Sequence, residues 1–190
     1  MMKAIFLDRD GTVNEEMGYI NHPDRFIIFP FVGESIKIFN QLDFLVIIIT
    51  NQSGIARGYY TESLVNELHD RLIREMEKQG ARISAIYYCP HHPTEGKGEY
   101  RKECDCRKPK PGLVLRAMKE FQISLQDSCL IGDRYQDVIM AKRLEMKAGL
   151  VLTGYGLGEF TYQQNNWEQN PDLIGKDLLE VAQRLRTLNL

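Results

Sequence analysis

This 190-residue chain has no apolar run long enough to cross a membrane, no surplus of charge of either sign, and few cysteines. The first absence argues against a transmembrane helix. A net charge of −2 leaves no broad positive field for nucleic acid, so any anion must be held by local groups. The opening Met-Met-Lys has neither an apolar h-region nor a cleavage site, and a cytoplasmic location is the expectation. Four cysteines in that setting point to metal binding or free thiols rather than a disulfide framework. What is present is ordinary for a folded globule: 43% hydrophobic and 26% charged residues, enough for one domain over 1–190 with a proper core.

The chain is organised around Phe6-Leu7-Asp8-Arg9-Asp10-Gly11-Thr12. An apolar run ends there on two acids spaced i, i+2, and Gly11 breaks it, as at the end of a buried strand. A second apolar run over 44–50 ends on Thr50, and a third over 128–132 ends on Asp133. A further strand is predicted over 82–88 and another over 148–152. Helices are predicted over 33–42, 61–79, 112–121, 135–144 and 178–188. The segment 26–29 reads as a short strand or packed loop. Strands alternating with helices predict an α/β fold with a mainly parallel sheet. Right-handed crossovers put all strand C-termini on one edge, where such sheets bind ligands. Asp8, Thr50 and Asp133 therefore converge.

That set points to phosphoryl transfer. Asp8 is the candidate nucleophile, since a carboxylate can attack phosphorus and form an aspartyl phosphate that water hydrolyses. Asp10 is placed to protonate the leaving alkoxide and then deprotonate the water. Asp8, the Asp10 main-chain carbonyl and Asp133 are the expected Mg²⁺ ligands, with Asp137 supporting them from one helical turn on. Thr50 and the backbone N–H groups of Asn51 and Gln52 are expected to hold phosphoryl oxygens, with Lys108 as a point charge against the same anion.

A second cluster is Cys89-Pro90-His91-His92 followed by Cys104-Asp105-Cys106. Cys89, His91, Cys104 and Cys106 offer a closed tetrahedral Zn²⁺ shell, with His92 as the alternative ligand. A structural zinc in the loop at 89–106 would aim Arg107 and Lys108, which follow the last ligand. Cys129 reads as a core thiol.

Phe-Leu-Asp-Arg-Asp-Gly-Thr, the strand-ending Thr50, Lys108-Pro109 and Gly-Asp-Arg-x-x-Asp from Gly132 resemble the four motifs of the haloacid dehalogenase superfamily of phosphotransferases. The resemblance covers nearly the whole chain. It implies a three-layer, Rossmann-like parallel sheet, and the short 10–50 connection leaves no room for a separate cap domain. Cys-Asp-Cys-Arg-Lys-Pro and Thr-Asn-Gln-Ser-Gly-Ile-Ala-Arg-Gly are further similar to the zinc-loop branch that removes the 7-phosphate of heptose bisphosphates, on the route to nucleotide-activated heptose for cell-envelope glycans. Histidinol-phosphate phosphatases are the neighbouring branch. By matching position, this resemblance implies substrate contacts at Glu16, Met17, Gly18, Tyr19, Thr50, Asn51, Gln52, Ser53, Arg107, Lys108 and Arg134. Arg107 suits a second phosphate, which a guanidinium grips with two hydrogen bonds. Arg57 reads equally as a helper or a surface residue. The chain departs from the branch at Glu16-Met17, where Asp-His is frequent, and at Arg134, where lysine is frequent. The expected partner is a small sugar bisphosphate, with no nucleic acid and no membrane, and the expected state is a monomer. The rival of another class is a zinc-stabilised binding module with degenerate acids. The absence of a Lys/Arg-rich face argues against it.

Overall fold

The computed structural model describes residues 1–187. Six parallel strands form one sheet in the order β3-β2-β1-β4-β5-β6. They are β1 (Lys3–Leu7), β2 (Phe44–Asn51), β3 (Ala85–Cys89), β4 (Cys129–Gly132), β5 (Lys147–Val151) and β6 (Leu173–Gly175). Strand order reverses across β1. The nucleophile candidate therefore leaves the central strand at the switch point, where a crevice opens.

Side-chain alternation along the strands builds two cores. Ile5, Leu7, Val46 and Ile48 face one side of the sheet. There α1 (Val32–Gln41), α3 (Glu62–Lys78) and α7 (Leu178–Thr187) cover them with Ile36, Phe39, Leu68, Leu72, Val181 and Leu185. Ala4, Phe6, Leu45, Ile47 and Ile49 face the other side, against Leu113, Val114 and Ala117 of α4 (Gly112–Phe121) and Val138 and Ala141 of α5 (Tyr135–Arg143). Both faces are buried, so β2 is continuously apolar rather than alternating. Each large aliphatic buried in this way contributes about 1.5–3 kcal/mol over leaving it exposed.

Most predicted elements fall where expected. In α3 the Thr61 hydroxyl caps the N-terminus by accepting from the Leu64 N–H at 3.3 Å, and Gly80, at φ 73°, turns the chain after the last turn. The strand predicted over 82–88 starts later, at Ala85. Before it, the Arg82 N–H is taken by the Asn40 side chain, and the Arg82 carbonyl accepts from the same amide. Residues 26–29 are a packed loop with one bridge, Ile28 to Asn14. Leu188, included in the predicted last helix, lies outside the described residues. Besides short 3-10 turns, three elements among the described residues were not predicted: α2 (Gly54–Arg57), α6 (Gly156–Gln163) and β6. The first and last are too short for periodicity. In α6 only Gly156 is buried, so it has no apolar stripe.

Candidate active site

Asp8 continues β1 by one residue, and its N–H donates to the Ile131 carbonyl of β4 at 2.9 Å. Thr50 lies at the end of β2 and Asp133 directly follows β4. These three line one cavity of about 440 Å³, together with Asp10, Glu16, Gly18, Tyr19, Asn51, Ser53, Arg107, Lys108, Arg134 and Asp137. Residues remote in sequence thus meet at the rim where the strands stop.

Lys108 is the electrostatic pivot. Its buried Nζ lies 2.7 Å from Asp8 Oδ2 and 2.9 Å from Asp137 Oδ1. Burial works against its charge, but Asp137 and Asp8 outweigh that and hold the ammonium above the usual lysine range. Burial pushes the Asp8 carboxyl up, against the lowering effect of Lys108. Asp133 is pushed up by burial and by the Asp8 charge, while the Tyr155 N–H donates to its Oδ2 at 2.9 Å. Gly11 (φ 81°) and Gly154 (φ 54°) flank that carboxylate, and a Cβ on either would strike it. Two close backbones thus seat one acid.

Oxygens of Asp8, Asp133 and Asp137 lie within 4.8 Å of one another, and Asp137 Oδ2 is buried with no hydrogen-bond partner. Such a set of mutually repelling, incompletely paired carboxylates suits a hard divalent cation. Asp137 is drawn into the acid group itself, closer than a supporting position. The Asp10 side chain lines the cavity with both oxygens committed to neighbouring donors, which leaves its main-chain carbonyl as the expected contact for a cation.

That commitment is extensive. Asp10 Oδ1 accepts from Arg9 Nε (3.2 Å), Arg9 Nη2 (2.8 Å) and Asn14 Nδ2 (2.9 Å), and Oδ2 from Arg9 Nη2 and Gln52 Nε2, both at 2.9 Å. Arg9 is fully buried, and its Nη1 donates to His69 Nε2 at 3.1 Å, which requires a neutral ring. Burial, then the Arg9 charge, lowers the His69 pKa to about 3, against 6.5 for an ordinary histidine. Between these values the unfolded chain holds the extra proton. Stability from this ring is therefore full above pH 6.5 and is lost as pH falls towards 3, by up to about 1.4 kcal/mol per pH unit. In His69→Gln the amide oxygen still accepts from Arg9. The melting-temperature gap between parent and variant is expected to shrink from pH 7 to pH 5; a gap that does not change with pH would refute this account.

Of the positions expected to meet substrate, Met17 and Gln52 do not line the cavity. Met17 packs against the core. The Gln52 N–H is already bonded to the Cys89 carbonyl at 2.7 Å, so it is unavailable to a phosphoryl oxygen. The Asn51 side chain instead clamps Lys108, accepting from its N–H at 3.0 Å and donating to its carbonyl at 3.1 Å. Glu16 turns back to accept from the Gly18 N–H at 2.6 Å, and burial raises its pKa. Arg134 is braced at 2.7 Å by Glu159 and lies 4.2 Å from the Tyr155 ring. Sequence reading missed Tyr155 and Glu159. The signal available for Tyr155 was its place just past the end of β5, on the same rim.

The cysteine cluster lies beside this site. Cys106 Sγ is 3.2 Å from Cys89 Sγ, 3.4 Å from Cys104 Sγ and 3.3 Å from His91 Nδ1. All the cysteines are free thiols. His92 turns away, with Nδ1 accepting from the Glu95 N–H at 2.9 Å and Nε2 3.1 Å from Arg57. Three sulfurs and one nitrogen packed this closely match the edges of a tetrahedral shell. The loop is anchored to α2 through Lys97 N–H to the Ala56 carbonyl (3.3 Å) and Arg57 to Glu95 (3.6 Å). At its exit, Arg107 donates to the His91 carbonyl at 3.3 Å.

Fold and site together define a haloacid dehalogenase-type hydrolase, and residues 105–181 match the model of the HAD-hydrolase-like family. Proteins named D-glycero-beta-D-manno-heptose-1,7-bisphosphate 7-phosphatase are similar over most of the chain. The one from Pasteurella multocida is 44% identical over 171 residues, 88% of this chain and 91% of that protein. The one from Haemophilus ducreyi is 42% identical over 182 residues, 95% and 96% of the two chains. A crystal structure of D,D-heptose 1.7-bisphosphate phosphatase from B. bronchiseptica, complexed with magnesium and phosphate, superposes with a TM-score of 0.86 at 32% identity, covering 98% of this chain and 99% of that one. The chain belongs to this heptose-bisphosphate phosphatase family of HAD-like hydrolases. Among the described residues no helix is long and apolar enough to cross a membrane.

Proposed function

We propose that this protein removes the 7-phosphate of D-glycero-D-manno-heptose 1,7-bisphosphate through an aspartyl phosphate on Asp8. The observation that carries this is the set of cations within one cavity. Lys108 is buried at the reacting carboxylate, and Arg107 and Arg134 line the same cavity, which supports reading them as the grip on a second phosphate. Relatives named for the same reaction support the reading.

Asp8 forms a bond to phosphorus as the ester P–O bond breaks, and Asp10 gives its proton to the leaving alkoxide. Water then attacks the phosphorus and passes a proton to Asp10. The Asp8–phosphorus bond breaks, releasing inorganic phosphate. Lys108 and Thr50 hold charge and position at the phosphoryl oxygens. The residues to hold Mg²⁺ are Asp8, the Asp10 carbonyl and Asp133, with Asp137 beside them; bound there, the ion supplies countercharge to the reacting phosphate. The site is uncapped, within a single domain, and the second phosphate supplies the anchor that a cap would otherwise give.

Cys89, His91, Cys104 and Cys106 hold a structural Zn²⁺ with no open position. Stripping zinc is expected to lower kcat by roughly 10–100-fold, because Arg107 and Lys108 leave the loop at its last ligand. Elemental analysis alongside phosphate release checks this; full activity in zinc-free protein contradicts it.

The substrate assignment is tested by specificity constants on both anomers of heptose 1,7-bisphosphate, heptose 7-phosphate and histidinol phosphate. The expected order places a bisphosphate first, by about tenfold or more over the monophosphates. Histidinol phosphate in first place would replace the assignment.

A further inference from the structure

Gln52 lies between the two halves of the proposed chemistry without reaching the cavity. Its Nε2 donates to Asp10 Oδ2 and to Thr50 Oγ1, both at 2.9 Å, so both amide hydrogens are used. Its Oε1 accepts from the Tyr60 hydroxyl at 2.8 Å. Gln52 is 2% exposed, and the bonds run inside the protein. An amide in this place could adopt two orientations. Turned over, it would set its oxygen against the Asp10 carboxylate. The Tyr60 hydrogen bond and that repulsion select the same orientation.

Tyr60 is itself seated. Its ring lies against Gly54, where a Cβ would collide with the ring carbons. Burial raises the Tyr60 pKa to about 12, so the hydroxyl keeps its hydrogen to donate. On the far side, Asp10 Oδ1 already takes three N–H bonds from Arg9 and Asn14. Oδ2 is the less crowded oxygen, and Gln52 is the side chain that fixes it besides Arg9.

We infer that Gln52 and Tyr60 are positioning residues for proton transfer: Tyr60 fixes the Gln52 amide in the orientation that braces Asp10 Oδ2, with the Thr50 hydroxyl as the amide's other anchor, so that the proton carrier keeps its place at the leaving oxygen. This replaces the expectation that Gln52 binds substrate. It rests on the reading of Asp10 as the group that protonates the leaving alkoxide and deprotonates water.

The test uses leaving groups. A sugar alkoxide needs a proton to depart; nitrophenolate does not. On the heptose bisphosphate, Tyr60→Phe is expected to lower kcat about tenfold and Gln52→Leu about a hundredfold, with KM within about threefold of the parent. With p-nitrophenyl phosphate, first-turnover nitrophenolate release by rapid quench is expected to stay within about threefold of the parent. Three results overturn the inference: kcat unchanged in both variants, KM raised tenfold at constant kcat, or first-turnover nitrophenolate release lost as fully as sugar turnover. Melting temperatures accompany the rates, and Tyr60→Phe carries the test if Gln52→Leu does not fold. Failure of the underlying reading is separate, since it would show as parental turnover of the sugar bisphosphate by Asp10→Asn.

Discussion

Asp8→Asn is expected to lower phosphate release by about 10⁴-fold or more while the protein stays folded. The carboxamide keeps the shape of the side chain but is not nucleophilic enough to form an acyl phosphate. The fold is spared because two electrostatic changes oppose one another. The variant loses the 2.7 Å ion pair to Lys108, and it also relieves repulsion against Asp133 and Asp137. Its melting temperature is therefore expected within a few degrees of the parent. Phosphate release and thermal unfolding, measured on one preparation freed of deamidated chain, check both halves. Near-parental turnover in that preparation ends the case for a covalent intermediate on Asp8.

Lys108→Met is expected to damage stability as well as rate. It removes the shared cation from two largely buried acids and leaves Asp8 and Asp137 facing one another. Breaking a buried pair from one side costs about 3–5 kcal/mol. Loss of the charge at the phosphoryl group lowers kcat by about 10²–10³-fold. The sign of the pH dependence follows from the Asp8 carboxyl, already raised by burial and raised further without Lys108. A group with an elevated folded pKa is stabilising when protonated, so the deficit shrinks as pH is lowered. Urea unfolding in chelator at pH 7.5 and 5.5 measures it. An unfolding midpoint that matches the parent and a kcat within twofold of it would remove Lys108 from the mechanism.

The parts of the fold that could be read in advance share one cause. β1, β2 and β4 are apolar on both faces and stop abruptly on polar residues, so strand and site were marked by the same boundary. The acids at those boundaries, Thr50 and the cysteine cluster followed. What could not be read depends on contacts without a local pattern. Nothing near Gln52 in the sequence says that its backbone is spent on Cys89 or that its amide faces Asp10. Tyr155 and Glu159 belong to a stretch with only one buried helical residue, Gly156, and gain their meaning from Arg134 and Asp133 across the crevice. Arg9 carries no local signal of its place, yet it is fully buried and ties Asp10 to His69.

Asn51 touches both ends of the segment that carries the cysteine cluster. Its backbone is in register with Cys89 across β2 and β3, and its side chain grips Lys108. The span between those anchors is pinned midway to α2 by the Lys97 N–H and the Glu95 carboxylate, so a change of length there pulls on Ala56 and Arg57. The two-residue step from Cys106 to Lys108 is tighter still. One added residue there lengthens the chain by roughly 3.5 Å, more than the 2.7 Å that now separates the ammonium from the nucleophile.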